Sequence, residues 1–134
     1  MIGIVIIAHG NLAVSMHQAG QHILGVQGGI ASVSVMPNDS IKTKTREIKA
    51  AIKQVKAKPN GKVVVLTDMF GGTPCNIAIS VLKKDSVEVI SGVNLPMLIK
   101  LCQCRDMELR QAVLAAKDAG RRYINIASDL LELK

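Results

Sequence analysis

The residues of this chain best suited to chemistry are His9 and the run Thr67-Asp68-Met69-Phe70-Gly71-Gly72-Thr73-Pro74-Cys75-Asn76. Asp68 offers a carboxylate, Gly71 and Gly72 an unencumbered backbone, and Thr73 a hydroxyl, all just before an apolar helical pattern. Backbone N–H groups at a helix start point outward and the helix dipole favours negative charge, so this run can cradle an anion. His9-Gly10 closes a second apolar run, Ile2 to Ala8, and supplies an imidazole. A carboxylate bonded to one imidazole nitrogen fixes the tautomer and leaves the other as a nucleophile. The expectation is that Asp68 and His9 meet and that His9 carries a phosphoryl group. Singly, each has an ordinary structural use: a histidine at a strand end, an aspartate as a turn or cap. Topology is what joins them.

The elements that must position these groups are legible from hydrophobic pattern. Ile2 to Ala8 is continuous, apolar and rich in β-branched residues, as a strand covered on both faces would be. Asn11 is a candidate N-cap for a helix to about Leu24, with Leu12, Met16, Ala19 and Ile23 on its inner face and Gly25 at its end. Ile30 to Met36 alternates and reads as a strand nearer a sheet edge. Ser40 can cap a helix to about Ala57, with Ile41, Ile48, Ile52 and Val55 in one stripe and Lys42, Lys44, Arg46, Lys49, Lys53 and Lys56 on the other face. Lys62–Thr67 and Val87–Ser91 read as strands, and helices are expected over about Pro74 to Lys83, Met97 to Gln103 behind Pro96, and Glu108 to Gly120. The last helix should turn Leu109, Val113, Ala116 and Ala119 inward. Tyr123 to Ala127 reads as a short final strand, and no state is assigned to Ser128–Lys134.

Strands alternating with helices predict an α/β fold with an open, mostly parallel sheet and helices on both faces. The expected order is 2-1-3-4, with the C-terminal strand added at an edge. Ligands of such sheets bind beyond the carboxyl ends of the strands, where the order reverses. That point lies between strands 1 and 3, which end in His9 and Asp68, and neighbouring strands are about 4.8 Å apart.

The 134 residues suit a single domain, 1–134, with a core of Val, Ile, Leu, Ala and Met, because there is one Phe, one Tyr and no Trp. The net charge of +7 admits an anionic partner, but the near absence of aromatics that could stack bases argues against nucleic acid. Cys75, Cys102 and Cys104 are odd in number and lack framework spacing, so disulfides are not expected. Cys102-x-Cys104 has no second ligand pair, His17 and His22 are five apart, and no metal is expected. Neither a signal peptide nor an apolar run of about 20 residues is present, so a soluble cytoplasmic protein is expected. The familiar nucleotide-binding glycine motifs are missing. Met69 and Phe70 suit either a partner surface or packing beneath the loop.

Three segments together resemble the mannose-type IIA domains of the bacterial phosphoenolpyruvate-dependent sugar phosphotransferase system. Ile4-Val5-Ile6-Ile7-Ala8-His9-Gly10 is similar to that family's first strand and phosphorylated histidine. Asp68 to Asn76 is similar to its Asp-x-x-Gly-Gly-Ser/Thr-Pro-x-Asn signature, with Cys75 at the variable position. Gly92-Val93-Asn94-Leu95-Pro96-Met97-Leu98 resembles a third segment, and Arg105-Asp106 fits as well. The resemblance covers nearly the whole chain. It implies that His9 accepts phosphate at Nε2 from the phosphocarrier HPr and passes it to a IIB domain, without cofactor, metal or nucleotide. It implies that Asp68 holds Nδ1 and that Thr73 with the Gly71-Gly72 backbone contacts the phosphoryl group. Met69, Phe70, Asn94, Pro96 and Met97 are then candidates for the partner surface. It implies a homodimer exchanging the C-terminal strand, with the membrane reached only through a IIC/IID transporter.

Rival readings are a phosphotransfer subunit of a dihydroxyacetone kinase system, a non-catalytic regulatory module of flavodoxin-like shape, and a nucleic-acid binder using Lys42–Lys58. The +7 charge is not what docking to a phosphocarrier basic around its own site would call for.

Overall fold

Every inward-facing residue of the two central strands is fully buried, and the rest of the architecture follows from covering them. A computed structural model describes residues 1–132. The strands are β1 (Gly3–His9), β2 (Ile30–Val35), β3 (Val63–Thr67) and β4 (Val87–Ser91). The helices are α1 (Leu12–Leu24), α2 (Ile41–Val55), α3 (Thr73–Ser80), α4 (Leu95–Gln103), α5 (Leu109–Arg122) and α6 (Ala127–Leu130). The four strands form one sheet in the order β2-β1-β3-β4, all pairs parallel, as expected from the sequence.

Successive side chains of a strand point to opposite faces, and β1 and β3 accordingly feed two cores. Ile4, Ile6, Ala8, Val64 and Leu66 pack with Ala13 of α1, with Met97, Leu98 and Leu101 of α4, and with Ala112, Val113 and Ala116 of α5. Val5, Ile7, Val63 and Val65 pack with Ile48, Ala51, Ile52 and Val55 of α2 and with Ile77 and Ala78 of α3. The sheet is thus sandwiched between α1, α4 and α5 on one face and α2 and α3 on the other.

Helix ends explain several boundaries. The Ser40 hydroxyl accepts from Thr43 N–H at 3.2 Å and starts α2. Asn94 Oδ1 accepts from Met97 N–H at 3.0 Å and starts α4. Asn11 occupies the cap position of α1, but its side chain caps nothing. At the far end of the sheet the buried Arg105 guanidinium donates to Ile2 O at 2.7 Å, Gly28 O at 2.6 Å and Gly29 O at 3.0 Å. It ties the start of β1 and the approach to β2 to the chain following α4.

Three expectations differ from the structure. α1 turns Ala13, Met16 and Gly20 inward, and leaves Leu12 and Ile23 exposed. The reason is close packing: a Cβ on Gly20 would lie 3.1 Å from Leu98 Cδ2, so a small-residue face suits the approach to α4. Ile41 stands at the first position of α2, beyond the core, and is exposed. The final strand is not formed. Tyr123 caps α5, Ile124–Ile126 pair with no strand, and Ala127–Leu130 is helical. An alternating apolar pattern makes a strand only where an edge pairs with it. The end of the tail, Leu133 and Lys134, lies outside the described residues.

Candidate functional site

The sheet reverses its order between β1 and β3, and the two strands present His9 and Asp68 side by side. Ile7 is paired with Thr67, so the chain leaves both strands at almost the same height. The Asp68 Oδ2 atom lies 2.7 Å from His9 Nδ1 and 3.1 Å from the His9 backbone nitrogen, which donates to it. Asp68 Oδ1 accepts from the Met69 N–H at 3.0 Å. An ionised carboxylate only accepts, so Nδ1 carries the proton and donates to Oδ2, and Nε2 is left with a free lone pair. Burial alone would push the Asp68 carboxyl up. The hydrogen bonds from the His9 ring and backbone and from Met69 N–H outweigh it and hold the group below its ordinary value, ionised at neutral pH.

The acid and the imidazole differ in exposure: the Asp68 side chain is 13% accessible and that of His9 51%. The carboxylate is rooted and the ring open to a large partner.

Gly72 explains itself by what surrounds it. A Cβ there would sit 2.9 Å from His9 Cε1 and 3.4 Å from Nε2. Its φ of −84° suits any residue, so only close approach of backbone to ring calls for glycine. Gly71, at φ +90°, makes the turn that brings that backbone in. Gly72 is also the N-cap of α3 and has no side chain to cap it. The first N–H groups of a helix have no acceptor within it, so donors and a positive dipole end stand close to the free Nε2. Thr73, the first residue of α3, is exposed, while Pro74 and Cys75 behind it are buried.

The proposed partner surface divides. Met69 and Phe70 are exposed, 57% and 74%, on the loop after Asp68. Met97 does not belong to such a surface: it is 4% exposed and packs in the core with Leu98 and Leu101. Asn94 is half-buried with both polar ends occupied, since its amide also donates to Gly120 O at 2.8 Å in addition to capping α4. Pro96 lines a separate groove of about 360 Å³ between α4 and α5, with Ile99 and Tyr123 among its walls. The motif Gly92–Leu98 therefore joins α4 to α5 rather than facing a partner through Asn94 or Met97.

The other candidates stay apart from this site. Cys75 and Cys104 are buried free thiols, and Cys102 is half-buried, its thiol pushed up by burial against the opposing pull of Arg105. His17 is partly buried on α1, which lowers its pKa, and its ring lies 3.3 Å from the Gln21 amide nitrogen. Among the described residues no three His, Cys, Asp or Glu gather as metal ligands, and no helix is long and apolar enough to cross a membrane. The three-carbonyl clasp of Arg105 was not foreseen. Its one trace in the sequence is the Arg105-Asp106 pair that fits the family resemblance.

A family model described as "PTS system fructose IIA component" matches residues 3–117. The fructose-specific EIIA component of Bacillus subtilis is 27% identical over 134 residues, covering 98% of this chain and 90% of that protein. The mannose-specific EIIAB component of Escherichia coli K12 is 31% identical over 126 residues, covering 92% of this chain but only 38% of that longer protein. Among solved structures, the phosphotransferase system component EIIA of Streptococcus agalactiae superposes with a TM-score of 0.86 at 25% identity, covering 96% of this chain and 99% of that one. The match spans the His9 strand, the Asp68 loop and the Asn94 segment, and the chain belongs to the fructose/mannose-type IIA components of the sugar phosphotransferase system.

Proposed function

We propose that this IIA component is a phosphocarrier whose His9 Nε2 takes a phosphoryl group from phospho-HPr and hands it to a IIB domain. The observation that carries the reading is the 2.7 Å bond between Asp68 and His9 Nδ1, with Nε2 beside the Gly72 backbone. The Nε2 lone pair forms an N–P bond as the N–P bond to the donor imidazole breaks, and that bond's electron pair returns to the donor ring. Asp68 keeps the Nδ1 proton in place and stabilises the positive charge that the ring gains on attack. The start of α3, with the Gly71-Gly72 backbone and the Thr73 hydroxyl, receives the phosphoryl oxygens. The onward step reverses these roles with the IIB nucleophile as acceptor. Catalysis here is positioning and charge stabilisation, because both reacting groups are already activated.

Half-exposure of the ring fits donors and acceptors that are proteins, and the exposed Met69 and Phe70 give them an apolar foothold. The name of the longer E. coli relative, EIIAB, supports a B unit as the acceptor. A homodimer fits the outer edge of β4, which among the described residues carries only the Lys83–Val87 bridge, and the exposed apolar residues Ile124, Ile126, Leu130 and Leu131.

The test is to incubate the chain with phosphoenolpyruvate, enzyme I and HPr and to map the phosphate by mass spectrometry under non-acidic conditions. The expected result is one phosphate on His9, none on a folded His9→Ala variant, and discharge on adding a IIB domain. Phosphate on another residue, or none in the wild type, would overturn the reading.

A further inference from the structure

Helix α2 carries cations that phosphotransfer does not use. Lys42, Arg46, Lys49, Lys53 and Lys56 follow one another at spacings of four, three, four and three, which lines them up along one side of the helix. Lys58 extends the line past the helix end. All are exposed except the half-exposed Lys56. The opposite side of α2, with Ile48, Ala51, Ile52 and Val55, is buried against the sheet. Lys44 is held by Asp39 and Glu47, whereas among the described residues no carboxylate pairs with the cations of the stripe. Lys49, Lys53, Lys56 and Lys58, with Ile52 and Pro59, line one shallow depression of about 570 Å³ that contains no acidic residue.

We propose that this stripe is an electrostatic docking surface for a bilayer of anionic phospholipid headgroups. Clustered lysines are drawn to such a surface without inserting, and each adds to the attraction. The apolar side of α2 is committed to the core, so binding is peripheral and does not bury the helix in lipid. The composition of the patch favours lipid over a protein or nucleic acid. A specific protein interface centres on aromatic or arginine anchors, and this stripe has a single arginine, Arg46, and no aromatic. Single-stranded nucleic acid calls for aromatic platforms, which are absent as well.

The orientation leaves phosphotransfer free. The end of α2 lies over the start of β1, where a Cβ on Gly3 would meet Val55 O. His9 stands at the other end of β1, about 20 Å away at the usual rise per residue. α2 begins near the carboxyl edge and ends at the opposite one, so the Lys49–Lys58 part of the stripe stands away from His9, and a molecule held on lipid by that part leaves His9 free to be charged and discharged beside a membrane.

The experiment is co-sedimentation of the unphosphorylated full chain with vesicles of phosphatidylcholine alone and of phosphatidylcholine with roughly one-third phosphatidylglycerol. The expected result is binding to the anionic vesicles only, lost at high salt. A Lys49→Gln/Lys53→Gln/Lys56→Gln/Lys58→Gln variant should partition on the order of 10²- to 10³-fold more weakly, at about 1 kcal/mol per lysine. These side chains lie outside the core, so circular dichroism should be unchanged, and a Lys83→Gln/Lys84→Gln/Lys117→Gln/Arg121→Gln variant of equal charge should bind better than the first. Equal binding to neutral vesicles, no binding to either, equal loss in both variants, or a preference for RNA over vesicles would overturn the proposal. None of these readouts involves phosphoryl transfer, so failure would leave the role of His9 intact.

Discussion

A 2.7 Å contact between one acid and one imidazole carries the chemistry of this protein, and its environment predicts what its loss should do. Asp68→Asn keeps the shape but removes the charge and lets the ring choose its tautomer. Phosphoryl transfer through His9 should slow by about 10²-fold or more, read by rapid-quench kinetics. A normal rate would show that the pairing has no kinetic role. Because hydrogen bonds hold the folded Asp68 carboxyl below its ordinary value, its stabilising effect is complete above about pH 4 and is lost as pH falls through the lowered value. The stability gap between wild type and Asp68→Asn should therefore be flat near neutrality and narrow in acid, measured by urea unfolding. Gly72→Ala drives a methyl to within 2.9 Å of the ring. It should cut transfer roughly tenfold by displacing His9 from its aligned position, with stability nearly unchanged because the ring is half-exposed. An unaltered rate would mean the close approach of backbone to ring is incidental.

At the scale of elements, legibility followed burial. β1 and β3 read as unbroken apolar runs because both their faces are covered, and the strand order fixed where their ends meet. That is why His9 and Asp68 could be paired from the sequence. α1 was harder: it offers two apolar stripes, and the choice between them was made by the contact of Gly20 with Leu98, which lies far away in sequence. Asn94 and Met97 stand as partner-surface candidates only through the family resemblance, not through any pattern of their own. Asn94 caps α4 locally and reaches Gly120 of α5, and Met97 fills the core, so the bond to α5 and the burial of Met97 depend on residues far away in sequence. Arg105 shows the same limit, since its three carbonyl partners come from residues 2, 28 and 29. Arg105→Ala leaves the buried Ile2 carbonyl without the guanidinium donor, while Gly29 O keeps the Ile4 N–H, so it should cost about 1–3 kcal/mol. Denaturant unfolding reads this, and a change below the experimental error would remove the clasp from the account.

At the scale of the molecule, the sequence showed a strand where the single chain has none. Tyr123, Ile124 and Ile126 keep their alternation but stand in solvent, and besides β3 the described residues give β4 only the single Lys83–Val87 bridge. Both features are the signature of an edge and a segment that lack partners within one copy. The prediction is a dimer by analytical ultracentrifugation, converted to a monomer by Ile124→Lys/Ile126→Lys. A wild-type monomer at micromolar concentration would contradict it. The charge of +7 belongs to this scale too: its densest unpaired stripe runs along α2, on a face that neither the core nor His9 uses.

The central claim is that Asp68 occupies one nitrogen of His9 so that the other carries phosphate. Nitrogen-15 and phosphorus-31 NMR of the phosphorylated, histidine-labelled protein reads this directly. The account predicts a single phosphohistidine at His9 with phosphorus coupled to Nε2 and the proton retained on Nδ1. Phosphorus on Nδ1, or on a residue other than His9, would contradict it.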